Sequence, residues 1–147
     1  MALRAAQTKI AEPAAFGLEQ LKDPDVRKQL SAPAVALFLK TADLLNLRVE
    51  ERMALLGGVS RQTYHNWKAG KIASLTRDQL ERISLLLGVL KGLRLVFAED
   101  QQGERWLKAA NTDLGFGGRA PLEVMTDDGL SGLHQVRRYL DAWRGVK

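Results

Sequence analysis

Apolar residues three and four positions apart recur along most of the chain, and this spacing is typical of amphipathic helices. The first clear run lies between Ser31 and Asn46. It predicts a helix with Pro33 in its first turn, where proline is tolerated. The apolar face of that helix consists of Val35, Phe38, Ala42 and Leu45. Residues 1–30 lack such a run and are interrupted by proline and glycine, so we predict a partly ordered arm there.

Residues 49–71 predict a helix, a tight turn and a second short helix. The first of these has Val49, Met53 and Leu56 on one face. The glycine pair 57–58 can end it, because glycine adopts the left-handed conformation of a helix exit without steric penalty. Ser60 is a suitable N-cap for the second helix. Tyr64 and Trp67 would then anchor that helix through its apolar side.

The opposite side of this second helix is polar and basic, as a recognition helix in a DNA major groove requires. The candidate DNA-binding residues are Ser60, Arg61, Gln62, Thr63, His65, Asn66, Lys68 and Lys71. Arg61 and Gln62 are candidates for base contacts, because arginine pairs with guanine and glutamine with adenine. Lys68 and Lys71 are candidates for neutralising phosphates. The alternative interpretation is an ordinary solvated helix face.

Thr76 and Gln79 form a predicted capping box that opens a long helix over residues 76–100. Two apolar stripes run along it. The first is Leu80, Ile83, Leu87 and Leu90, and the second is Leu86, Val89, Leu93 and Val96. A helix that is apolar on two faces cannot bury both against one small domain. We therefore expect the second stripe to meet the C-terminal segment or a second copy of the chain, with Gly88 and Gly92 allowing close approach.

Three more helical segments are predicted towards the C-terminus. Short helices are expected over residues 104–110 and 121–126, joined by a glycine-rich loop. Asp127 or Asp128 would cap a final helix, whose apolar face is Leu133, Val136, Leu140 and Trp143. Arg137 flanks that face and can pair with Asp141 one turn later.

No segment has the alternating pattern of a strand, so the predicted fold is all-α. We predict a helix-turn-helix bundle followed by a small helical domain. The expected division is an arm over residues 1–30, a DNA-binding and dimerisation domain over residues 31–100, and a C-terminal domain over residues 101–147.

Composition restricts the possible functions. A net charge of +5 and a pI near 9.7 suit a polyanionic partner if the charge is clustered. The absence of cysteine excludes disulfides and fits a reducing cytoplasm, the expected location. No apolar run is long enough for a membrane span, so no membrane partner is expected. His65 and His134 lie in separate segments without a third ligand, and no catalytic motif is visible. We therefore expect neither a metal, nor a cofactor, nor an enzyme.

Two stretches resemble a known family. The run LLGGVSRQTYHNWKAGK resembles the helix-turn-helix of Xre-type regulators. The stretch FGGRAPLEVMTDDGLSGLHQVRRYLDAWRGVK resembles the toxin-binding domain of Xre/MbcA/ParS antitoxins, and its matching residues are Pro121, Leu122, Glu123, Met125, Gly129 and Leu133. The resemblance covers about residues 33–147. It implies an antitoxin that neutralises a RES-domain toxin, an enzyme that destroys NAD⁺. It also implies that the antitoxin forms a homodimer or a larger complex with the toxin and represses its own operon by binding operator DNA.

The same resemblance implies that residues 137–147 cover the active site of the toxin. The candidate toxin-binding residues are Arg137, Arg138, Trp143, Arg144, Gly145 and Lys147. Arginine side chains and a carboxylate can occupy sites built for the phosphates of a dinucleotide and their counter-charges. The alternative for the arginines is that they edge a core helix, and Trp143 could belong to the core. The alternative for the whole chain is a dimeric repressor without a toxin partner.

Overall fold

The computed structural model describes residues 19–113 and 115–145. In these ranges a short 3₁₀ turn, Gln20–Lys22, precedes seven α-helices and no strand is present. The helices are α1 (Pro24–Leu44), α2 (Val49–Leu55), α3 (Arg61–Lys68), α4 (Arg77–Val96), α5 (Asp100–Lys108), α6 (Pro121–Asp127) and α7 (Gly129–Trp143). The prediction of an all-α fold with a helix-turn-helix is confirmed. None of these helices is both long enough and apolar enough to cross a lipid bilayer.

Helix α1 begins earlier than predicted. Pro24 occupies its first turn, where a missing N–H costs nothing, and the Asp23 carboxylate accepts a hydrogen bond from the backbone N–H of Asp25 at 2.9 Å. The prediction that Ser31 and Pro33 open the helix was therefore wrong. Ser31 is buried inside the helix, and its Oγ accepts a hydrogen bond from the backbone N–H of Leu75 at 2.8 Å. Residues 1–18 of the predicted arm lie outside the described ranges.

Helix α4 is the centre of the molecule. It packs against α1 on one side and against α7 on another, and eleven of its residues are buried. Leu86, Val89 and Leu93 of the second apolar stripe are at most 2% exposed. A Cβ atom added at Gly103 of α5 would lie 3.2 Å from Leu93 Cβ, so the expectation that this stripe meets the C-terminal segment is confirmed.

Helices α4 and α7 run parallel and very close together. Contacts from α4 to α7 advance together along both helices, from Glu81 with His134 to Gly92 with Leu140. A Cβ atom added at Gly92 would lie 3.1 Å from Leu140 Cβ. Gly88 and Gly92, both within α4, therefore allow the close approach of α7 that their spacing predicted.

A polar cluster joins the two halves of the chain at the end of α1. Asn46 has a positive φ of 51° and closes α1, as predicted. Its side-chain amide donates to Glu104 Oε1 at 3.0 Å. Lys108 Nζ donates to the Asn46 carbonyl at 2.8 Å and to Glu104 Oε2 at 2.9 Å. These hydrogen bonds lower the pKa of Glu104, with the largest contribution from Lys108. Helix α5 is thereby tied to the loop that precedes α2.

One helix start and one helix cap in the C-terminal half differ from prediction. Helix α5 begins at Asp100 rather than at residue 104, because Gln102 accepts a hydrogen bond from the backbone N–H of Glu99 at 3.0 Å. Asp128 precedes α7 but makes no side-chain cap. Its carboxylate instead accepts from Arg119 Nη2 at 2.9 Å, which lowers the pKa of Asp128.

Candidate functional sites

The turn between α2 and α3 has the predicted geometry. Gly57 and Gly58 have φ angles of 92° and 84°, the left-handed region in which glycine is favoured. Ser60 caps α3 by accepting a hydrogen bond from the backbone N–H of Thr63 at 3.0 Å. The chain thus leaves α2, turns within a few residues and enters α3, which is the backbone path of a helix-turn-helix.

Helix α3 is anchored to the core by two aromatic residues and one arginine. Tyr64 is 0% exposed and Trp67 is 7% exposed, as the apolar face predicted. The Tyr64 hydroxyl accepts from Arg52 Nη1 at 3.1 Å. The same Arg52 donates from Nε to the Leu47 carbonyl at 2.9 Å and forms an ion pair with Asp43 at 2.9 Å. Sequence reasoning missed Arg52, because its partners lie on three separate segments.

The outer face of α3 presents most of the predicted DNA-binding side chains to solvent. Arg61, Gln62, His65 and Lys68 are exposed, as are Ser60 before α3 and Lys71 beyond it, whereas Thr63 and Asn66 are half-buried. Five of these residues have local partners: Arg61 Nη2 lies 3.7 Å from Glu50 Oε2, Gln62 Nε2 donates to Asn66 Oδ1 at 2.9 Å, and Ser60 Oγ donates to Thr63 Oγ1 at 3.0 Å. Exposed contacts of this kind contribute little, so a stronger ligand can displace them.

The positive charge of the chain is concentrated around this face. Residues 52–77 contain five basic side chains and no acidic one, and all of the five except the anchoring Arg52 are exposed. Residues 25–88 contain ten basic and six acidic side chains, whereas residues 92–145 contain seven and eight. After α3, Gly70 has a φ of 86°, and the Lys71 N–H donates to the Asn66 carbonyl at 2.8 Å, so Lys71 stays beside the helix end. This clustering is what a polyanion-binding surface requires.

The predicted toxin-binding residues divide into packed and exposed groups. The guanidinium of Arg137 lies against α4, because a Cβ atom added at Gly88 would be 2.5 Å from Arg137 Nη1. Arg138, Trp143, Arg144 and Gly145 are exposed, and Lys147 lies outside the described ranges. Within the described residues, the predicted ion pair between Arg137 and Asp141 does not form. Asp141 instead pairs with Arg144 at 3.2 Å.

Four aromatic side chains form a continuous surface where α4 and α7 end. We call Phe97, Trp106, Tyr139 and Trp143 the aromatic patch. Trp143 contacts the other three rings, with centroid distances of 5.4 Å to Phe97, 5.7 Å to Trp106 and 5.9 Å to Tyr139. It remains 47% exposed, and the other three are half-buried. Helical periodicity placed Trp143 on a core-facing stripe, but it could not bring together rings from two helices and from the residue that follows α4.

The glycine-rich loop before α6 is held against α7. Gln135 Nε2 donates to the Gly115 carbonyl at 2.6 Å, and the Tyr139 hydroxyl donates to the Asp113 carboxylate. The hydrogen bond to Asp113 raises the pKa of Tyr139. Phe116 from this loop is 1% exposed and contacts Tyr139 with ring centroids 5.0 Å apart. The loop thus holds Tyr139 of the aromatic patch in place through Asp113 and Phe116.

The two histidines take no part in a ligand cluster. His134 Nε2 lies 3.7 Å from Glu81 Oε2, and His65 packs edge-on against Tyr64. Among the described residues no group of three or more histidine and acidic side chains is arranged to hold a metal ion. The geometry thus offers two surfaces for binding, the basic face of α3 and the end of α7.

Comparison with known proteins assigns a domain to each surface. Residues 25–88 match the antitoxin Xre-like helix-turn-helix domain. Residues 92–145 match the antitoxin Xre/MbcA/ParS C-terminal toxin-binding domain. The chain is also 32% identical over 108 residues to the uncharacterized protein y4oB of Sinorhizobium fredii (strain NBRC 101917 / NGR234). That alignment covers 74% of this chain and 81% of the relative.

Proposed function

The chain belongs to the Xre/MbcA/ParS family of antitoxins, and we propose that it neutralises a RES-domain, NAD⁺-degrading toxin and represses its own operon. The observation that carries this proposal is the separation of two exposed surfaces. The basic face of α3 belongs to the helix-turn-helix domain, and the exposed end of α7 belongs to the toxin-binding domain. The protein acts by binding at both surfaces.

At the operator, the N-terminal end of α3 enters the major groove. Arg61, the first residue of α3, leaves its contact with Glu50 and reads a base, and Gln62 reads a neighbouring one. Lys68 and Lys71 neutralise phosphates and fix the position of the helix. Loss of the Glu50 contact costs little, because both side chains are more than half exposed. A homodimer places two such helices on two half-sites one helical turn apart.

Two matched substitutions separate base reading from phosphate contact. Arg61→Ala should cost about 1–3 kcal/mol on the operator and less on random DNA, because it removes a base contact. Lys71→Ala should weaken binding to both DNAs alike and reduce the salt dependence by about one ion. Affinities measured by fluorescence anisotropy at several salt concentrations provide the test. Equal losses on both DNAs for Arg61→Ala would contradict its role in base reading.

At the toxin, the exposed end of α7 and the residues after it cover the active-site cleft. Arg138 and Arg144 supply guanidinium groups, which bind carboxylates and phosphates bidentately. Trp143 supplies a large apolar ring at the same end, and Gly145, with a φ of 78°, allows the chain to turn away from the helix axis. Lys147 completes the covering segment. Arg137 contributes from its position on Gly88.

Removal of residues 143–147 tests neutralisation. The truncated chain should fail to protect cells that express the neighbouring RES-type protein, and their NAD⁺ content should fall, whereas the full chain should preserve it. Operator binding by the truncated chain is the control, because α3 lies in the other domain. Full protection by the truncated chain would contradict the proposal. Absence of any toxic partner would favour a repressor that acts alone.

A further inference from the structure

Resting on the proposed function, we infer that the end of α7 that meets the toxin has two tasks: the aromatic patch is the anchor on which the toxin is seated, and the residues after Trp143 block its active site. Affinity comes mainly from Trp143 and the rings around it. Inhibition comes from the residues that follow Trp143. The patch and the covering segment are therefore two parts of one interface with different tasks.

Exposure singles out this end of the molecule. Within the described ranges only Leu95 and Trp143 are exposed large hydrophobic side chains, at 54% and 47%. Leu95 lies in the last turn of α4 and Trp143 in the last turn of α7, and the two helices run parallel. Tryptophan and tyrosine are enriched among the residues that dominate binding energy at protein interfaces. A partner that covers the ends of α4 and α7 therefore buries the most exposed large apolar side chains.

The patch is held in place before any partner arrives. Trp106 stacks on Tyr139 with ring centroids 5.7 Å apart and an interplanar angle of 21°. Tyr139 is in turn fixed by its hydrogen bond to Asp113 and by contact with the buried Phe116. Side chains that are already ordered lose little entropy on binding. The patch is therefore suited to act as a rigid anchor.

The observations favour the toxin over a second copy of this chain as the occupant. All four rings and Leu95 lie within residues 92–145, which match a toxin-binding domain. The patch adjoins residues 144–145, so a protein seated on Trp143 meets the covering segment at once. Obligate homodimer interfaces bury about 2,000 Å² or more and are strongly apolar. Here the patch is bordered by ion pairs such as Arg94 with Asp100 and Arg144 with Asp141.

The chemistry of the patch describes its complement on the toxin. An apolar pocket that accepts an indole ring should face Trp143. Acidic side chains should lie beside that pocket, because Arg138 is exposed next to Tyr139 and has no ion-pair partner in the described part of the chain. An aromatic centre with a charged rim is the usual arrangement of a non-obligate protein interface.

Substitution of Trp143 tests the anchor. Affinity for the neighbouring RES-type protein, measured by biolayer interferometry, should fall about thirty-fold or more in Trp143→Ala, the size expected for a dominant interface residue. Trp143→Phe should retain most of the affinity, because it keeps an aromatic ring. Lys40→Ala, an exposed cation on α1, is the matched control and should change nothing. Circular dichroism and thermal unfolding verify that each variant is folded.

Arg144→Ala separates the two tasks. It should reduce inhibition of NAD⁺ hydrolysis at saturating antitoxin while changing affinity far less than Trp143→Ala does.

If the wild-type chain inhibits the toxin but folded Trp143→Ala binds with unchanged affinity, the anchor is wrong and the proposed function stands. If the wild-type chain neither binds nor inhibits any RES-type protein, the proposed function itself fails. If Trp143→Ala instead converts a dimer of the isolated chain to a monomer by light scattering, the patch is a contact between copies and the inference is overturned.

Discussion

Three helical glycines determine how closely α4, α6 and α7 approach, and a methyl group at each would meet a different neighbour. At Gly88 it would meet the mobile end of Arg137, and at Gly92 it would lie 3.1 Å from Leu140 Cβ. At Gly132 it would meet the backbone carbonyl of Val124, which cannot move without shifting α6. The cost of a substitution at such a glycine therefore depends on whether the neighbouring atoms can move, and not on the glycine alone.

We predict that the loss of stability on substitution by alanine increases in the order Gly88, Gly92 and Gly132. Gly88→Ala should change the free energy of unfolding by less than about 1 kcal/mol, because alanine favours the helix and Arg137 can move aside. Gly92→Ala should destabilise by about 1–3 kcal/mol, and Gly132→Ala by at least as much. Urea unfolding followed by circular dichroism measures all three. A Gly88→Ala variant as unstable as Gly132→Ala would refute the ranking, and Gly88→Ala/Arg137→Ala is the control for relief of crowding.

At the scale of elements, two helix starts were recognised from their capping hydroxyls and two others were missed. Ser60 and Thr76 were identified because serine and threonine hydroxyls accept the free N–H groups of a first turn. The start of α5 was missed because the capping box there is built by Glu99 and Gln102, without such a hydroxyl. The start of α1 was missed because Pro24 was interpreted as a break rather than as a first-turn residue.

The junction of α4 and α5 depends on one bidentate ion pair. Arg94 donates from Nε and Nη2 to the two carboxylate oxygens of Asp100, both at 2.9 Å. These hydrogen bonds lower the pKa of Asp100 below its usual range. The folded pKa therefore lies below the unfolded one, near 3.9. The stabilisation is present above that pH and is lost as the pH falls through the lowered folded value.

We predict that Asp100→Asn lowers the free energy of unfolding at pH 7 by about 1 kcal/mol, a modest value because both side chains are partly exposed. As the pH falls below 4 and through the lowered folded pKa, the difference from wild type should shrink, since the wild-type carboxylate then becomes neutral like the asparagine amide. Unfolding by urea at a series of pH values between 7 and 2 measures both effects. Asp127→Asn, an exposed carboxylate without this pairing, should track the wild type. A difference that persists unchanged at pH 2 would contradict the ion-pair explanation.

At the scale of the whole molecule, α4 belongs to the core of both matched domains. It packs against α1 and against α7, and Leu93 of its second stripe also lies against Gly103 of α5. The polar cluster of Asn46, Glu104 and Lys108 adds a second connection between the halves. Two domains that share a central helix should not unfold independently.

We therefore predict a single cooperative unfolding transition for the whole chain. Tryptophan fluorescence and far-ultraviolet circular dichroism should give coincident midpoints. A fragment of residues 19–98 should instead self-associate or remain loosely packed, because it exposes Leu86, Val89 and Leu93 to water. Analytical ultracentrifugation of the fragment, with the whole chain as the control, distinguishes these states. A stable monomeric fragment would show that the helix-turn-helix half has its own complete core.

The sequence by itself determined the helical class, the turn between α2 and α3, the caps at Ser60 and Thr76 and the anchoring pair Tyr64 and Trp67. These features depend on interactions between residues about four positions apart, which periodicity and capping patterns record directly. The proposed domain boundaries and the individual DNA- and toxin-binding residues stay predictions.

Only the tertiary structure decided what distant segments do together. It showed that the Arg137 guanidinium packs against Gly88 and that Asp141 forms its ion pair with Arg144 rather than with Arg137. It also showed that the rings of the aromatic patch meet. Phe97 and Trp143 lie 46 positions apart in the sequence, and Asn46 and Glu104 lie 58 apart. No local pattern records such pairs, because their meeting depends on how α4 packs against α7 and α5. The exposed end of α7 is a consequence of that packing, and with it the surface that we assign to the toxin.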